Sequence, residues 1–434
     1  MLWTAGVFSV LILAVAGVGA WVYQDLDGSI GAADIDGKVG GDRPEKLSPG
    51  SKNILVVGSD SRDGDNGKYG KGLTTMQSDT LMVVHIAADR KWATVVSFPR
   101  DSWVEVPACD KGDGTRSAAH HFKINEAFAI GGATGEVAGA AACTIRAVEQ
   151  NTGLRIDHFT SVDFQGFKGM VNALGGIEVC PKQAIHDKKA DLDLEAGCQT
   201  VKDEAALGYV RTRYSVGDGS DISRIERQQE FMRALADRAK QKLTSPGDLY
   251  GFLKAATGSI TTDRSLAGVR PLAGLATELK GVPEDRLTFL TVPNYPRELD
   301  VPTDRANVVW QYPQAAQLFT SLAKDKEVDK KRVAGDAANG PHARDVRVQV
   351  LNGTDRGGLA GKAAEELKQA GYTVTGTGNA PDTEEKTRVT YPSDQRAQAQ
   401  VLRSRLPGAK AEASDEATAG AVTLVVGEDF TSLR

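Results

Sequence analysis

The chain opens on an unbroken apolar run, Leu2 to Tyr23 (LWTAGVFSVLILAVAGVGAWVY), that contains no charged residue. A helix of that length can span a bilayer, and Trp3, Trp21 and Tyr23 sit near its ends, where amphipathic rings favour the interface. Residues 1–23 are therefore expected to be an uncleaved membrane anchor. A cleaved signal peptide is the rival, since Val18-Gly19-Ala20 resembles a small-residue cleavage site; against it, the run exceeds a usual signal core and no basic segment precedes it. Residues 24–52 turn polar and glycine-rich, which predicts a flexible tether. Three runs rich in β-branched residues follow, at Asn53–Gly58, Thr80–Ala87 and Ala93–Phe98, and predict strands. The polar stretch Ala88–Lys91 suits a hairpin between the last two.

The period then lengthens. Gly135–Asn151 is helical and stops at Gly153; Ser161–Leu174 is apolar on one side and precedes Gly175-Gly176 and a short strand, IEVC. A short helix starts at Asp203, a long one covers Asp221–Lys242, and further helical segments run to about Ala323. Helices and strands without strict alternation point to an α/β or α+β sandwich around one mixed sheet. Residues 324–345 are almost free of apolar side chains and read as an interdomain linker. Beyond it, strands at Val346–Leu351, Tyr372–Thr377 and Ala421–Gly427 and helices at Gly358–Ala370 and Ser393–Leu406 predict a second, smaller α/β module.

Composition narrows the function classes. At 434 residues two or three domains are expected. A net charge of −5, with no recognisable helix-turn-helix, speaks against nucleic acid as a partner. No Lys or Arg precedes the apolar run, so charge cannot orient it; with almost nothing upstream, the bulk of the chain is expected outside a cell membrane crossed once. The four cysteines form no CxxC pair, which weakens zinc-ribbon and thioredoxin-type readings. An even number in an exported chain predicts two disulfides. Cys109–Cys143 and Cys180–Cys198 are favoured because each closes a local loop that holds no other cysteine.

The chemistry gathers at strand ends. If the second strand runs antiparallel to the first and third, then Asp60 after strand one, Asp79 at the start of strand two and Arg100 after strand three share one rim of the sheet. Carboxylates beside arginines suit a hard cation and a phosphorylated ligand, although strand-end Asp and Arg also simply cap turns and pair with each other. Further on, Arg211 and Arg213 stand two apart, which places both guanidiniums on one face of a strand. Asp221, Arg224 and Gln228, at i, i+3 and i+7, share one face of a helix. Converging guanidinium forks are what a pyrophosphate requires; the same spacings also suit a solvated ionic surface. The glycine-rich stretch Asp63–Gly72 fails as a calcium loop because Thr74 stands where the twelfth-position acid belongs, and it lacks the GK[ST] of a phosphate loop. It reads as a flap beside the site. Phe159, Phe164, Phe167, Met170, Val171 and Leu174 could line a lipid groove, but an apolar stripe at helical spacing equally describes core. No histidine has a metal-ligand or catalytic-triad spacing, and His120-His121 reads as a surface pair.

The segments GSDSR, SDTLMVVHI, VVSFPRDSWV, KINEAFAIGG, GFKGMVNALGGIEV and YVRTRY…DISRIERQQ, in that order between Asn53 and Ala323, resemble the motif series of the LytR-CpsA-Psr (LCP) family. The segments VLNGT, GLA, GYTV and VTLVVG resemble the LytR C-terminal domain often appended to it. The resemblance implies an α-β-α sandwich around a mixed sheet over 53–323 and a LytR C-terminal domain over 346–430. It implies a membrane-anchored phosphotransferase that moves a glycopolymer from undecaprenyl pyrophosphate to peptidoglycan outside the cell. By motif, Asp60 and Asp79 would hold Mg²⁺ (or Mn²⁺). Arg62, Arg100, Arg211, Arg213 and Arg224 would grip the pyrophosphate. Asp221 would orient the arginines or take part in proton transfer, and Gln228 would donate to phosphate oxygens. Relatives often carry Arg two residues before the second Asp, where Gln77 stands here, so that cationic contact is missing or comes from another residue such as Lys71. A non-catalytic envelope regulator or wall-binding protein, and a lipid pyrophosphate hydrolase, are the alternatives.

Overall fold

The structure is a computed structural model that describes residues 27–28, 30–59, 76–212, 221–242, 251–252, 254–255, 260–330, 333, 340–414 and 417–433. The expected anchor over 1–23 and the expected flap over 63–72 lie outside the described residues. Among the described residues no helix is long and apolar enough to cross a membrane.

A seven-stranded mixed sheet organises the larger part. Its strands in chain order are β1 (Gly31–Ala33), β2 (Lys52–Ser59), β3 (Ser78–Ile86), β4 (Ala93–Phe98), β5 (His158–Val162), β6 (Ile260–Asp263) and β7 (Leu287–Thr291). Their spatial order is β1-β6-β5-β2-β3-β4-β7. β3 runs antiparallel to both β2 and β4, while β5 is parallel to β2. The ends of β2, β4 and β5 and the start of β3 therefore meet at one rim. Side chains alternate across the sheet. Leu55, Val57, Leu81 and Val83 enter the main core, and Val56 and Met82 face the opposite layer.

Helices cover both faces. They are α1 (Val137–Thr152), α2 (Phe164–Ala173), α3 (Asp203–Arg211), α4 (Asp221–Lys242), α5 (Val269–Lys280) and α6 (Gln314–Ala323). Gly153 ends α1 in the left-handed conformation, at φ 71°, as a helix-stopping glycine should. The short helix Glu126–Gly131 crosses α1 so closely that a Cβ on Gly131 would lie 2.2 Å from the Gly139 carbonyl oxygen, which accounts for the glycine there. Both expected disulfides, Cys109–Cys143 and Cys180–Cys198, are present.

Two expectations need correction. Residues 24–52 are not a flexible tether where they are described: β1 pairs in parallel with β6, and Ile30, Ala33, Ile35 and Val39 are buried. Arg43 also clamps the buried Glu149, 2.6 Å away. Secondly, Ser161 and Val162 belong to β5, and α2 starts only after Asp163, whose carboxylate caps the helix by accepting from Gly166 N at 2.7 Å.

The C-terminal part is a five-stranded sheet, built from β8 (Arg347–Asn352), β9 (Thr373–Asn379), β10 (Arg388–Tyr391), β11 (Lys410–Ala413) and β12 (Val422–Val426) in the order β9-β8-β12-β10-β11. It packs with α7 (Leu359–Gln369) and α8 (Arg396–Ser404). β10 and β11 are strands that the hydrophobic pattern did not predict; each has only four residues. This sheet shares its core with the larger part through Trp310, Phe319, Val346, Tyr372 and Leu406. Buried Arg297 stacks on Trp103 at 4.4 Å and donates to the Gln369 carbonyl at 2.6 Å, tying the two parts together.

Candidate functional site

The rim predicted from strand direction exists, and a bulge shapes it. Gly58 pairs with Thr80 and Ser59 with Ser78, so Asp79 is the extra residue between them. A bulge re-aims a side chain out of the ladder, and Asp79 here turns to the rim. A Cβ on Gly58 would stand 3.0 Å from the Thr80 Cβ, so glycine lets the strand ends close on each other.

Arg100 follows β4 in a turn held from several sides. Ser102 Oγ donates to the Pro99 carbonyl at 2.6 Å and accepts from Trp310 Nε1 at 3.0 Å. Lys123 Nζ donates to Asp101 Oδ1 at 2.6 Å. So positioned, Arg100 Nη1 donates to Asp79 Oδ1 at 2.5 Å.

The remaining cations come from helices. The expectation that Arg211 lies on a strand does not hold: it is the last residue of α3, in a segment (DEAALGYVR) whose Ala and Leu favour helix. Its guanidinium lies 4.7 Å over the Phe164 ring. Arg224 sits in the first turn of α4, is buried, and reaches the Asp79 carbonyl at 3.4 Å. Gln228, one turn on, donates to the Val210 carbonyl at 3.1 Å. Gln229 donates to Ser97 Oγ at 3.0 Å and Thr291 Oγ1 at 3.2 Å, which fixes α4 on the sheet. Arg227 donates to the Thr212 carbonyl, and burial pulls its guanidinium below the ordinary value, with Arg224 beside it adding to the effect. Asp187 Oδ2 accepts from Thr212 Oγ1 at 2.5 Å and so holds the end of α3.

Several of these side chains line one pocket of about 400 Å³. Asp79, Arg100, Arg211, Arg224 and Gln228 all line it, and its depth is apolar, formed by Phe164, Phe167, Met170, Phe231, Met232 and Leu235. The apolar stripe of the sequence thus divides: Phe164, Phe167 and Met170 face the pocket, whereas Phe159, Val171 and Leu174 are fully buried core. Phe231 and Leu235 continue the Arg224–Gln228 face of α4 at helical spacing, a signal the sequence carried. Lys189 also lines the pocket and had no sequence signal. Asp60, Arg62, Arg213, Lys71 and the side chain of Asp221 lie outside the described residues; Gln77 is exposed.

A polar mouth over an apolar depth suits an amphiphile with an anionic head. The pocket wall offers the carboxylates of Asp79, Asp163 and Asp187 and no His or Cys, the donor chemistry of a hard cation. No group of three potential ligands occurs among the described residues. A cation here would rest on one or two carboxylates and on ligand phosphate oxygens, as Mg²⁺ commonly does.

The LytR_cpsA_psr family profile matches residues 22–326, and that of the LytR cell envelope-related transcriptional attenuator matches residues 345–430. The probable cell wall biosynthesis protein LcpB of Corynebacterium glutamicum is 35% identical over 62% of this chain and 60% of its own length, so the match spans less than two thirds of that relative. Cell wall biosynthesis protein LcpA of the same organism is 29% identical over 95% of this chain and 81% of its own. The polyisoprenyl-teichoic acid–peptidoglycan teichoic acid transferase TagT of Bacillus subtilis is 29% identical over 65% of this chain and 84% of its own. Among solved structures, protein gbs0355 of Streptococcus agalactiae aligns with a TM-score of 0.51 at 20% identity, covering 64% of this chain and 90% of that one, a likeness of fold alone. With its family profile matched from residue 22 to residue 326, the chain belongs to the LytR-CpsA-Psr family.

Proposed function

We propose that this chain is a phosphotransferase that moves a glycopolymer from undecaprenyl pyrophosphate to peptidoglycan, on the outer side of the membrane. The observation that carries the reading is the single pocket whose mouth holds Arg100, Arg211, Arg224 and Asp79 and whose depth is apolar. The prenyl chain lies against Phe164, Phe167, Phe231 and Leu235, and the diphosphate stays at the mouth among the guanidiniums. TagT, whose name specifies a polyisoprenyl-linked donor and a peptidoglycan acceptor, supports the choice of substrates.

The residues divide the work. Arg100 and Arg224 are both anchored through Asp79, by its side chain and its carbonyl, so their N–H forks are set before substrate arrives. Preset donors stabilise charge that develops on a transferring phosphoryl group without reorganising. Arg211, braced over Phe164, sits where apolar depth meets polar mouth. An amide carries two N–H donors; Gln228 uses one on Val210 and keeps the other for a phosphate oxygen. An acceptor hydroxyl attacks the phosphorus nearer the glycan, a new P–O bond forms, the anhydride P–O bond breaks, and undecaprenyl phosphate leaves. The hydroxyl proton passes to a carboxylate, for which Asp221, the first residue of α4, is the nominee. Asp79 together with Asp60 would hold Mg²⁺ or Mn²⁺, which when bound neutralises charge on the diphosphate.

The test is product analysis with a prenyl-pyrophosphate glycan and a peptidoglycan acceptor. Glycan linked to the acceptor, lost in an Arg211→Ala, Arg224→Ala double variant, is the expected result. Prenyl phosphate released without linkage would favour hydrolysis, and turnover insensitive to both arginines would end the reading.

A further inference from the structure

A second cavity, of about 1140 Å³, lies between the larger part and the C-terminal sheet. One wall comes from the segment Gly37–Pro44, from α1 and from the hairpin pairing Trp103–Val106 with His120–Lys123; the other comes from α7 and residues 431–433. The second wall is tied down: Lys362 Nζ donates to the Thr431 carbonyl at 2.8 Å, and Glu366 accepts from Leu433 N at 2.9 Å. The lining alternates carboxylates, guanidiniums, imidazoles and amides. Such a surface suits a chain of hydroxyls and amides rather than an acyl chain.

Its cations are not equivalent. Arg43 is neutralised by Glu149 at 2.6 Å. Arg146 and Arg116 instead donate to one and the same acceptor, the Ala108 carbonyl, at 2.7 and 3.2 Å. Neither has a carboxylate within ion-pair distance among the described residues. Burial, with Arg116 alongside, pulls the Arg146 guanidinium below its ordinary value, against the attraction of the Asp42 carboxylate on the same cavity wall. Two guanidiniums held together on a cavity wall repel each other until an anion joins them, and their forks fit a carboxylate bidentately.

The same hairpin joins the cavity to the reaction site. Ile124 N donates to the Ser102 carbonyl at 2.9 Å and Asn125 N to the Arg100 carbonyl at 3.4 Å. Its four-residue strands span roughly 13 Å, so a polymer lying in the cavity stays close to the mouth where Arg100 stands. We propose that the cleft between the two parts seats the acceptor, a glycan strand that bears carboxylates, with Arg116 and Arg146 together taking a carboxylate. This rests on the transferase reading for the word acceptor, and it gives the C-terminal domain a role as the second wall of the acceptor site.

The experiment titrates the full chain with soluble peptidoglycan strands that keep their stem peptides, with the same strands after carboxylate amidation, and with a phosphate-bearing teichoic polymer. The expected result is binding of the native strands, weakened about tenfold or more by amidation and by the Arg116→Ala, Arg146→Ala double variant. The Arg116→Lys, Arg146→Lys variant, which keeps charge but loses the fork, should bind at an intermediate level and serves as the control for folding. In turnover assays the double alanine variant should raise KM for the acceptor while affinity for the prenyl-pyrophosphate donor holds. Equal affinity of wild type and double variant, indifference to amidation, or preference for the phosphate polymer would overturn the proposal. Normal glycan transfer without strand binding in the cleft would sink this inference alone, whereas strand binding without any transfer would sink the transferase reading alone.

Discussion

Replacing Arg100 with alanine separates catalysis from stability. The side chain is the mouth's link between β4 and the bulged Asp79, with a 2.5 Å bond to its carboxylate. Removing one preset donor from a site where phosphoryl charge develops costs about 10²–10³ in kcat. The effect on folding is much smaller. The two side chains are 22% and 31% exposed, so water screens their attraction, and such a pair contributes at most about 1 kcal/mol. In a domain of this size that corresponds to a fall in Tm of roughly 2–4 °C. The assay pairs steady-state transfer, using donor lipid and peptidoglycan, with a thermal melt. Arg100→Lys keeps the charge but not the fork and should recover only part of the rate. Transfer within threefold of wild type in Arg100→Ala would refute the placement of the diphosphate. A large Tm loss with proportionate inactivation would show that Arg100 acts through folding.

Four further outcomes are expected. Burial alone would raise Asp263, but bonds from His158, Ser265 and Phe159 N hold it at about 2. Its contribution is therefore complete above the unfolded value near ~3.9 and disappears as pH falls through the folded one; Asp263→Asn should flatten that part of an acid-denaturation curve, and Asp263→Ala should lower stability by about 2–4 kcal/mol in urea melts. Chelation should stop transfer and Mg²⁺ or Mn²⁺ restore it, with Asp79→Asn shifting the metal titration to higher concentrations; a flat titration would contradict the assignment of Asp60 and Asp79. Met232→Lys places an ammonium in the apolar depth, so binding of long prenyl donors should fall about tenfold or more relative to short-chain analogues, read by donor-length competition. Removing the Cys109–Cys143 bridge, whose cysteines are 34 residues apart, should cost about 3–4 kcal/mol, measured by chemical denaturation of the Cys109→Ser, Cys143→Ser variant.

Much of the site could be read from the chain because strand ends obey direction. Once three β-branched runs are taken as neighbours with the middle one reversed, Asp79 and Arg100 must share a rim. The bulge that aims Asp79 is invisible to pattern, since one extra residue in a ladder leaves no compositional mark. Arg211 was misplaced for a different reason: two arginines at i and i+2 suggest a strand, but the preceding Ala-Ala-Leu run sets a helix that carries the first of them. The segment before β2 was misread because its glycines and acids outnumber its apolar residues, yet Ile30, Ala33, Ile35 and Val39 are buried and β1 adds an edge strand. Phe231 and Leu235 were within reach, lying on the same face of α4 as Arg224 and Gln228. The cleft between the two parts was not, because its walls come from residues more than 200 positions apart that meet only on folding.

A structure of the full chain with an undecaprenyl pyrophosphate analogue and Mg²⁺ tests the central claim most directly. The diphosphate is expected within hydrogen-bonding distance of Arg100, Arg211 and Arg224, the cation on Asp79, and the prenyl chain against Phe164, Phe167 and Phe231. A diphosphate bound away from those three guanidiniums, or a prenyl chain outside that pocket, would contradict it.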